Sequence, residues 1–270
     1  MRKKIETNNR SSIDAYAPDE IAIRVNISGI KKASLPFLPL VTLGILAGIF
    51  IAFGAMFYTL VITGSSLGFG PTRLLGGVVF SLGLILVVVA GAELFTGNNL
   101  IVIAWAQGDV SSKRLLRNWL IVFIANFVGA SLTAYIVNFS GTLDLGDGAV
   151  RANALTIVNH KAELDFVPAF FSAVPCNALV CLAVWLSMAA HTVSGKIMAI
   201  IFPISAFVAL GFEHSVANMY FFSLFIFQPG SGIELFDLLQ NLLPVTLGNI
   251  IGGSGLVALV YWVCYLRQAK

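Results

Sequence analysis

Two short runs carry the polar chemistry of an otherwise apolar chain. Gly211-Phe-Glu-His-Ser-Val-Ala-Asn-Met219 sits in an apolar segment from about Ile197 to Ile233, where Glu213 is the only formal charge and His214 the only imidazole. A carboxylate at bilayer depth costs roughly 2.5–3.5 kcal/mol on insertion scales, so such a residue is paired or lines a polar cavity, and it marks function. His214, with an ordinary pKa of about 6.5, could exchange a proton with a permeating weak acid. The competing reading is an imidazole satisfied by its neighbours in a polar pocket. Glu93-Leu-Phe-Thr-Gly-Asn98 has the same frame as Glu213-His-Ser-Val-Ala-Asn218: a Glu, four residues, then an Asn preceded by a small residue. Adjacent residues point apart, so Glu213 and His214 need not share a face. Glu93 and Glu213 are expected to be structural, satisfying N–H groups freed at a helix break, with Asn98 and Asn218 as backbone staples. Thr96 could hydrogen-bond the imidazole or a permeating anion, or simply cap the half-helix that follows it. Phe80 and Phe207 precede the two runs and could form apolar constrictions, although most phenylalanines of this Phe-rich chain face lipid or core. Lys161 at a pore mouth would draw anions inward, or else it pairs with Glu163 or Asp165 as an ordinary loop charge.

The elements that must position these residues are membrane helices. The 270 residues are 58% hydrophobic and 11% charged, with a mean hydropathy of +0.90, whereas soluble domains carry about 25% charged residues. Apolar runs of twenty residues and more suit helices rather than barrel strands, because backbone groups in lipid must be satisfied within the segment. The fold class is therefore all-α, with six transmembrane helices at about 36–63, 74–106, 116–139, 166–190, 197–226 and 240–266, the second and fifth broken near their middles. Three parts follow: a cytoplasmic N-terminal segment (1–33), a channel domain (34–267) and a cytoplasmic C-terminus (268–270). Within the first, Pro18-Asp-Glu20 reads as a helix start, and Ile23, Ile27 and Ile30 before Lys31-Lys32 form the apolar face of a short helix on the membrane surface or against its own bundle. Met1-Arg-Lys-Lys lacks the apolar core of a cleavable signal. Lys and Arg gather in the tail, after span two (Lys113, Arg114, Arg117), after span four (Lys196) and at Arg267 and Lys270, which places both termini in the cytoplasm of a cell (plasma or inner) membrane protein. Trp105, Trp119, Trp185 and Trp262 fall at those span ends, as an interfacial belt requires.

The matching breaks belong to a longer repeat. Asn126-Phe-Val-Gly129 in span three parallels Asn249-Ile-Ile-Gly252 in span six. Three spans per unit put the two units in opposite orientations, an inverted repeat whose breaks point to the pore. Gly44, Gly48 and Gly54 in span one, and Gly248, Gly252, Gly253 and Gly255 in span six, permit close helix crossing. Pro175, Pro203 and Pro244 are candidate kinks. No Gly-rich phosphate loop, His/Cys metal spacing or nucleophile–base arrangement occurs, which argues against an enzyme, a cofactor, a metal or nucleic-acid binding; Cys176, Cys181 and Cys264 read as packing residues.

Phe80-Ser-Leu-Gly-Leu, Glu93-Leu-Phe-Thr-Gly97, His160-Lys161, Cys176-Asn177-Ala-Leu-Val-Cys181 and the Glu213–Met219 run resemble the formate/nitrite transporter family over about residues 30–267. The resemblance implies an aquaporin-like protomer in a homopentamer with one pore per subunit. It implies roles by position: His214 as the central pore histidine, Thr96 as the threonine beside it, Phe80 and Phe207 as constrictions, Leu84 and Leu94 as further apolar lining, Lys161 as the vestibule lysine and Asn177 as a polar residue close to it. The expected function is passage of small monovalent anions of weak acids, formate first, with a proton as co-permeant at His214. Nitrite or hydrosulfide is the alternative within the family, and an aquaporin-like pore for neutral solutes the alternative outside it.

Overall fold

The computed structural model describes residues 15–228 and 230–267; the expected tails at 1–14 and 268–270 lie outside the described residues. Helix α1 (Pro18–Ala33) starts at a proline whose missing N–H costs nothing there, and Glu20 Oε2 accepts the Ala17 N–H at 2.8 Å. Asp19 and Glu20 occupy its first turn and Lys31 and Lys32 its last, the arrangement the helix dipole favours. Its buried face is Ile21, Ala22, Val25, Gly29 and Ala33, while Ile23 and Ile27 remain exposed, so apolar residues occupy two sides of this helix.

Four continuous helices follow the length that a membrane crossing needs: α2 (Phe37–Ile62), α3 (Phe69–Gly91), α5 (Ser112–Phe139) and α7 (Phe166–Ala189), and a fifth, α10 (Leu235–Tyr265), closes the chain. Between them lie α4 (Val102–Gln107), α6 (Ala149–Ala162), α8 (Val193–Ala209) and α9 (Ser215–Ser223). The fifth expected span is thus two pieces, α8 and α9, separated by residues 210–214. Pro175, Pro203 and Pro244 lie inside α7, α8 and α10.

The helices cross where glycines remove a side chain. A Cβ on Gly48 would overlap the α5 backbone at Asn126, and one on Gly252 would overlap the α7 backbone at Val174. The pairs α2/α5 and α7/α10 therefore pack backbone to backbone, as small-residue interfaces allow in lipid. The tryptophans correct the expected belt in part. Trp185 is buried with its ring 4.2 Å from that of Tyr261, and Trp119 donates its Nε1–H inward to the Asn98 carbonyl at 3.1 Å. Both serve internal packing because each faces another helix.

The two breaks begin alike. Gly91 (φ +91°) and Gly211 (φ +76°) each adopt the left-handed conformation two residues before a glutamate. The last turn of α3, Leu86–Gly91, is π-helical, and after the break Gly97–Ile101 forms a 3-10 turn leading into α4.

Candidate functional site

Each break is held by one asparagine from a neighbouring helix. Asn126 of α5 accepts the Phe95 N–H at 2.9 Å and donates to the carbonyls of Gly44 (2.7 Å) and Glu93 (2.9 Å). Asn249 of α10 does the same at the second break, accepting the Ser215 N–H at 3.0 Å and donating to Ala173 (2.9 Å) and Glu213 (3.0 Å). These side chains supply the partners that unwinding removed, since an unpaired buried N–H costs about as much as a lost hydrogen bond.

The carboxylates do something else, which corrects the expectation drawn from sequence. Glu93 accepts from Lys32 Nζ (2.7 Å) and Asn98 Nδ2 (2.7 Å); Glu213 accepts from Lys161 Nζ (2.8 Å) and Asn218 Nδ2 (2.6 Å). Neither carboxylate binds a freed N–H, and the Asn98 and Asn218 side chains bind other side chains rather than stapling backbone. The second amide hydrogen of Asn98 goes to Asn118 Oδ1 and that of Asn218 to Asn241 Oδ1, and Asn118 and Asn241 in turn donate to the carbonyls of Lys32 and Lys161. The reason is electrostatic: a buried carboxylate needs a counter-charge more than it needs a neutral donor. Lys161 accordingly pairs with Glu213 and with neither Glu163 nor Asp165.

Three of these participants escaped the sequence reading: Lys32, Asn118 and Asn241. The signal for Lys32 was present, because it stands one residue before the end of α1 as Lys161 does in α6. Arg73 of α3 was also missed as a site residue. Its guanidinium donates to the carbonyls of Val208 (2.9 Å) and Ala209 (3.0 Å) at the end of α8 and to the Tyr58 hydroxyl (3.2 Å), tying one break to the other half of the chain.

Where the two copies differ, they meet. Ala217 donates its N–H to His214 Nδ1 at 3.1 Å, making His214 the cap of α9. With Nδ1 an acceptor, the neutral imidazole carries its hydrogen on Nε2, which lies 3.0 Å from Thr96 Oγ1. Both residues are buried. The Phe207 ring lies nearly parallel to the imidazole at 5.8 Å, and Phe80 meets Phe207 edge-on at 5.6 Å. Asn177 is fully buried and lines neither cavity described below. Its Nδ2 faces the Thr96 carbonyl (3.2 Å), Asn99 Oδ1 (2.9 Å) and the Asn249 carbonyl (2.7 Å), so it joins the two breaks, and none of these bonds reaches Lys161.

Two cavities approach this junction and no residue lines both. One, of about 330 Å³, is lined by Arg73, His160 and Lys161 and reaches Phe80, Phe207 and His214. The other, of about 870 Å³, is lined by Lys31, Lys32 and Lys196 and reaches Leu84 and Leu94. The expected constriction residues therefore fall on the two sides of the Thr96–His214 pair, two on each.

Residues 19–263 match the family model described as formate/nitrite transporter. The formate channel FocA of Escherichia coli (strain K12) is 39% identical over 274 residues, covering 94% of this chain and 96% of that protein. A solved structure titled as a pentameric formate channel with formate bound superposes with a TM-score of 0.79 at 40% identity, covering 86% of this chain and 98% of that one. A second, titled as an FNT family ion channel, gives a TM-score of 0.83 at 27% identity, covering 91% and 98%.

Proposed function

Because the chain belongs to the formate/nitrite transporter family, we propose that this multi-pass membrane protein is a channel for small monovalent anions of weak acids, formate first among them. Relatives that carry the name formate channel, at 36–39% identity, support formate over nitrite or hydrosulfide. The similar pentameric structure supports a homopentamer with one pore per protomer. The observation that carries the reading is the Thr96–His214 pair, buried between two cavities of net positive lining and flanked by apolar side chains.

In this reading an anion enters the Lys161 cavity, drawn by Lys161 and Arg73. Passing Phe80 and Phe207 strips its water, and burying an unpaired charge costs several kcal/mol. His214 Nε2–H and the Thr96 hydroxyl are the polar groups available there. Proton transfer from His214 to the anion lowers the barrier further, and the geometry sets a condition on it. An imidazolium carries hydrogens on both nitrogens, so charging the ring turns Nδ1 from acceptor to donor and expels the Ala217 N–H. Protonation of His214 and release of the α9 cap are then one event. The permeant leaves past Leu94 and Leu84 into the Lys32 cavity. Glu93, Glu213, Asn98 and Asn218 hold the breaks, Asn177 links them, and the whole reads as two inverted three-span units with both termini cytoplasmic.

Uptake of [13C]formate, nitrite and hydrosulfide into proteoliposomes tests the substrate. His214→Asn tests the proton: formate flux with unchanged pH dependence in that variant would overturn the relay and leave His214 as a fixed donor. Flux that ignores anion gradients would favour a neutral-solute pore.

A further inference from the structure

The cavity beside α1 is larger than a monocarboxylate requires. Its volume is about 870 Å³ against about 330 Å³ for the Lys161 cavity. Cavities that take drug-sized organic ligands run to about 300–1,000 Å³, and a three-heavy-atom anion fills a small part of that. Its lining combines four cations, Arg24, Lys31, Lys32 and Lys196, with one acid, Glu93. Glu93 is already neutralised by Lys32 at 2.7 Å. Among the described residues, Arg24, Lys31 and Lys196 make neither an ion pair nor a side-chain hydrogen bond; Arg24 is fixed instead by its guanidinium carbon 3.7 Å from the centre of the Tyr16 ring. Lys196 stands in the first turn of α8, where the helix dipole adds positive potential. The same lining includes an aliphatic part, with Leu43, Val87 and Met188.

We propose that this cavity binds a multiply phosphorylated anion carried on an organic body, as in a nucleotide or a phosphorylated lipid, and that the bound anion occludes the pore from the α1 side. Three cations without a carboxylate partner among the described residues match a multiply charged group that accepts several charge-assisted hydrogen bonds, where a single carboxylate would leave most of them unused. The aliphatic side chains cover the face of a base or the acyl part of a lipid. The occluding effect rests on the channel reading above; the binding does not.

The test uses the full chain. Binding of adenosine triphosphate and of inorganic tripolyphosphate is measured calorimetrically on the protein in nanodiscs at constant ionic strength. Formate flux is measured in parallel in proteoliposomes, with each compound on one face only, and in bilayers doped with a bis-phosphorylated inositol lipid. The expected result is saturable binding, tighter for the nucleotide, with inhibition from one face. The double variant Lys31→Ser/Lys196→Ser weakens binding about tenfold or more, as loss of charge-assisted contacts predicts, and its formate flux, measured against its own uninhibited value, loses the inhibition. Lys31→Arg/Lys196→Arg retains binding and controls for folding. A response confined to the doped bilayers would support the site and assign it to lipid. No binding by any of the three, binding abolished by matched chloride, or binding indifferent to the Ser variants would overturn the proposal. Tripolyphosphate binding as tightly as the nucleotide would overturn the role given to the aliphatic side chains. If formate flux is absent altogether, the channel reading fails while the calorimetry still decides the site.

Discussion

The first and second breaks share a framework of matching hydrogen bonds and differ in the side chains they present. Lys32, Glu93, Asn98, Asn118 and Asn126 at one break have counterparts in Lys161, Glu213, Asn218, Asn241 and Asn249 at the other, with the same donor and acceptor atoms. Three of the positions that differ place polar groups at the junction. Leu94 stands where the second copy has His214, and Thr96 where it has Val216. Gly48, whose backbone crosses Asn126, stands where Asn177 donates to the Asn249 carbonyl. The polar members, His214, Thr96 and Asn177, meet at one point, two contributed by one half of the chain and one by the other. The matching bonds form the scaffold of both breaks, and the proposed chemistry falls where the two breaks differ.

The comparison breaks first at the ion pairs. Lys161 is 13% exposed and Lys32 28%, and Lys32 also donates to Asn98 Oδ1 at 3.1 Å, whereas Glu213 is the only acceptor Lys161 has among the described residues. Removing one member of a buried pair costs about 3–5 kcal/mol. Glu213→Leu is expected to cost that much, and Glu93→Leu about 1–3 kcal/mol, because its lysine keeps water and one acceptor. Chemical denaturation of the solubilised protein measures both; equal losses would show that the two lysines are equally dependent on their carboxylates. The staples come next. Asn126→Ala and Asn249→Ala each strand one buried N–H and deprive two carbonyls, at about 2–4 kcal/mol. The two losses should agree to within about 1 kcal/mol if the framework is truly duplicated. A wide gap would show that the two staples are not energetically equivalent despite their matching bonds.

The helices, their breaks and the paired Glu-x4-Asn frames were legible because hydrophobic runs of membrane length and a charge inside them are local signals. Asn126 and Asn249 were legible as motifs but not as staples, since their partners lie 31 and 34 residues away. The job given to Glu93 and Glu213 was misread for the same reason. Their lysines lie 61 and 52 residues upstream, on short helices that no periodicity connects to the breaks. Asn177 was found only through resemblance, and the contacts that define it span 72–81 residues. Sequence reports what a segment is, and the asymmetry at the junction depends on which segments meet.

Converting the divergent positions back to their counterparts sharpens the point. His214→Leu makes the second break resemble the first at that position. It removes one side-chain cap, so stability falls by only about 1 kcal/mol. Formate flux should fall ten- to a hundredfold, because a hydrogen bond to a charged permeant is worth about 1.5–3 kcal/mol. Its pH dependence should flatten as well. Stopped-flow uptake at several pH values, normalised to folded protein, separates this from the Glu213→Leu effect, which appears in stability.

The smallest change is Thr96→Val, which gives the first break the residue that the second has in Val216. The substitution conserves volume and leaves the Thr96 carbonyl, held by Asn177, untouched. It removes a single hydroxyl, 3.0 Å from His214 Nε2. A hydrogen bond of this kind is worth about 0.5–1.5 kcal/mol, which corresponds to a two- to tenfold loss of flux. The reciprocal Val216→Thr adds a hydroxyl at a fully buried site and should lower stability without raising flux. Initial formate uptake of the two variants side by side decides whether position matters. If Val216→Thr rescued the flux of Thr96→Val, the two loops would be interchangeable, and the asymmetry at His214 would carry no consequence for Thr96.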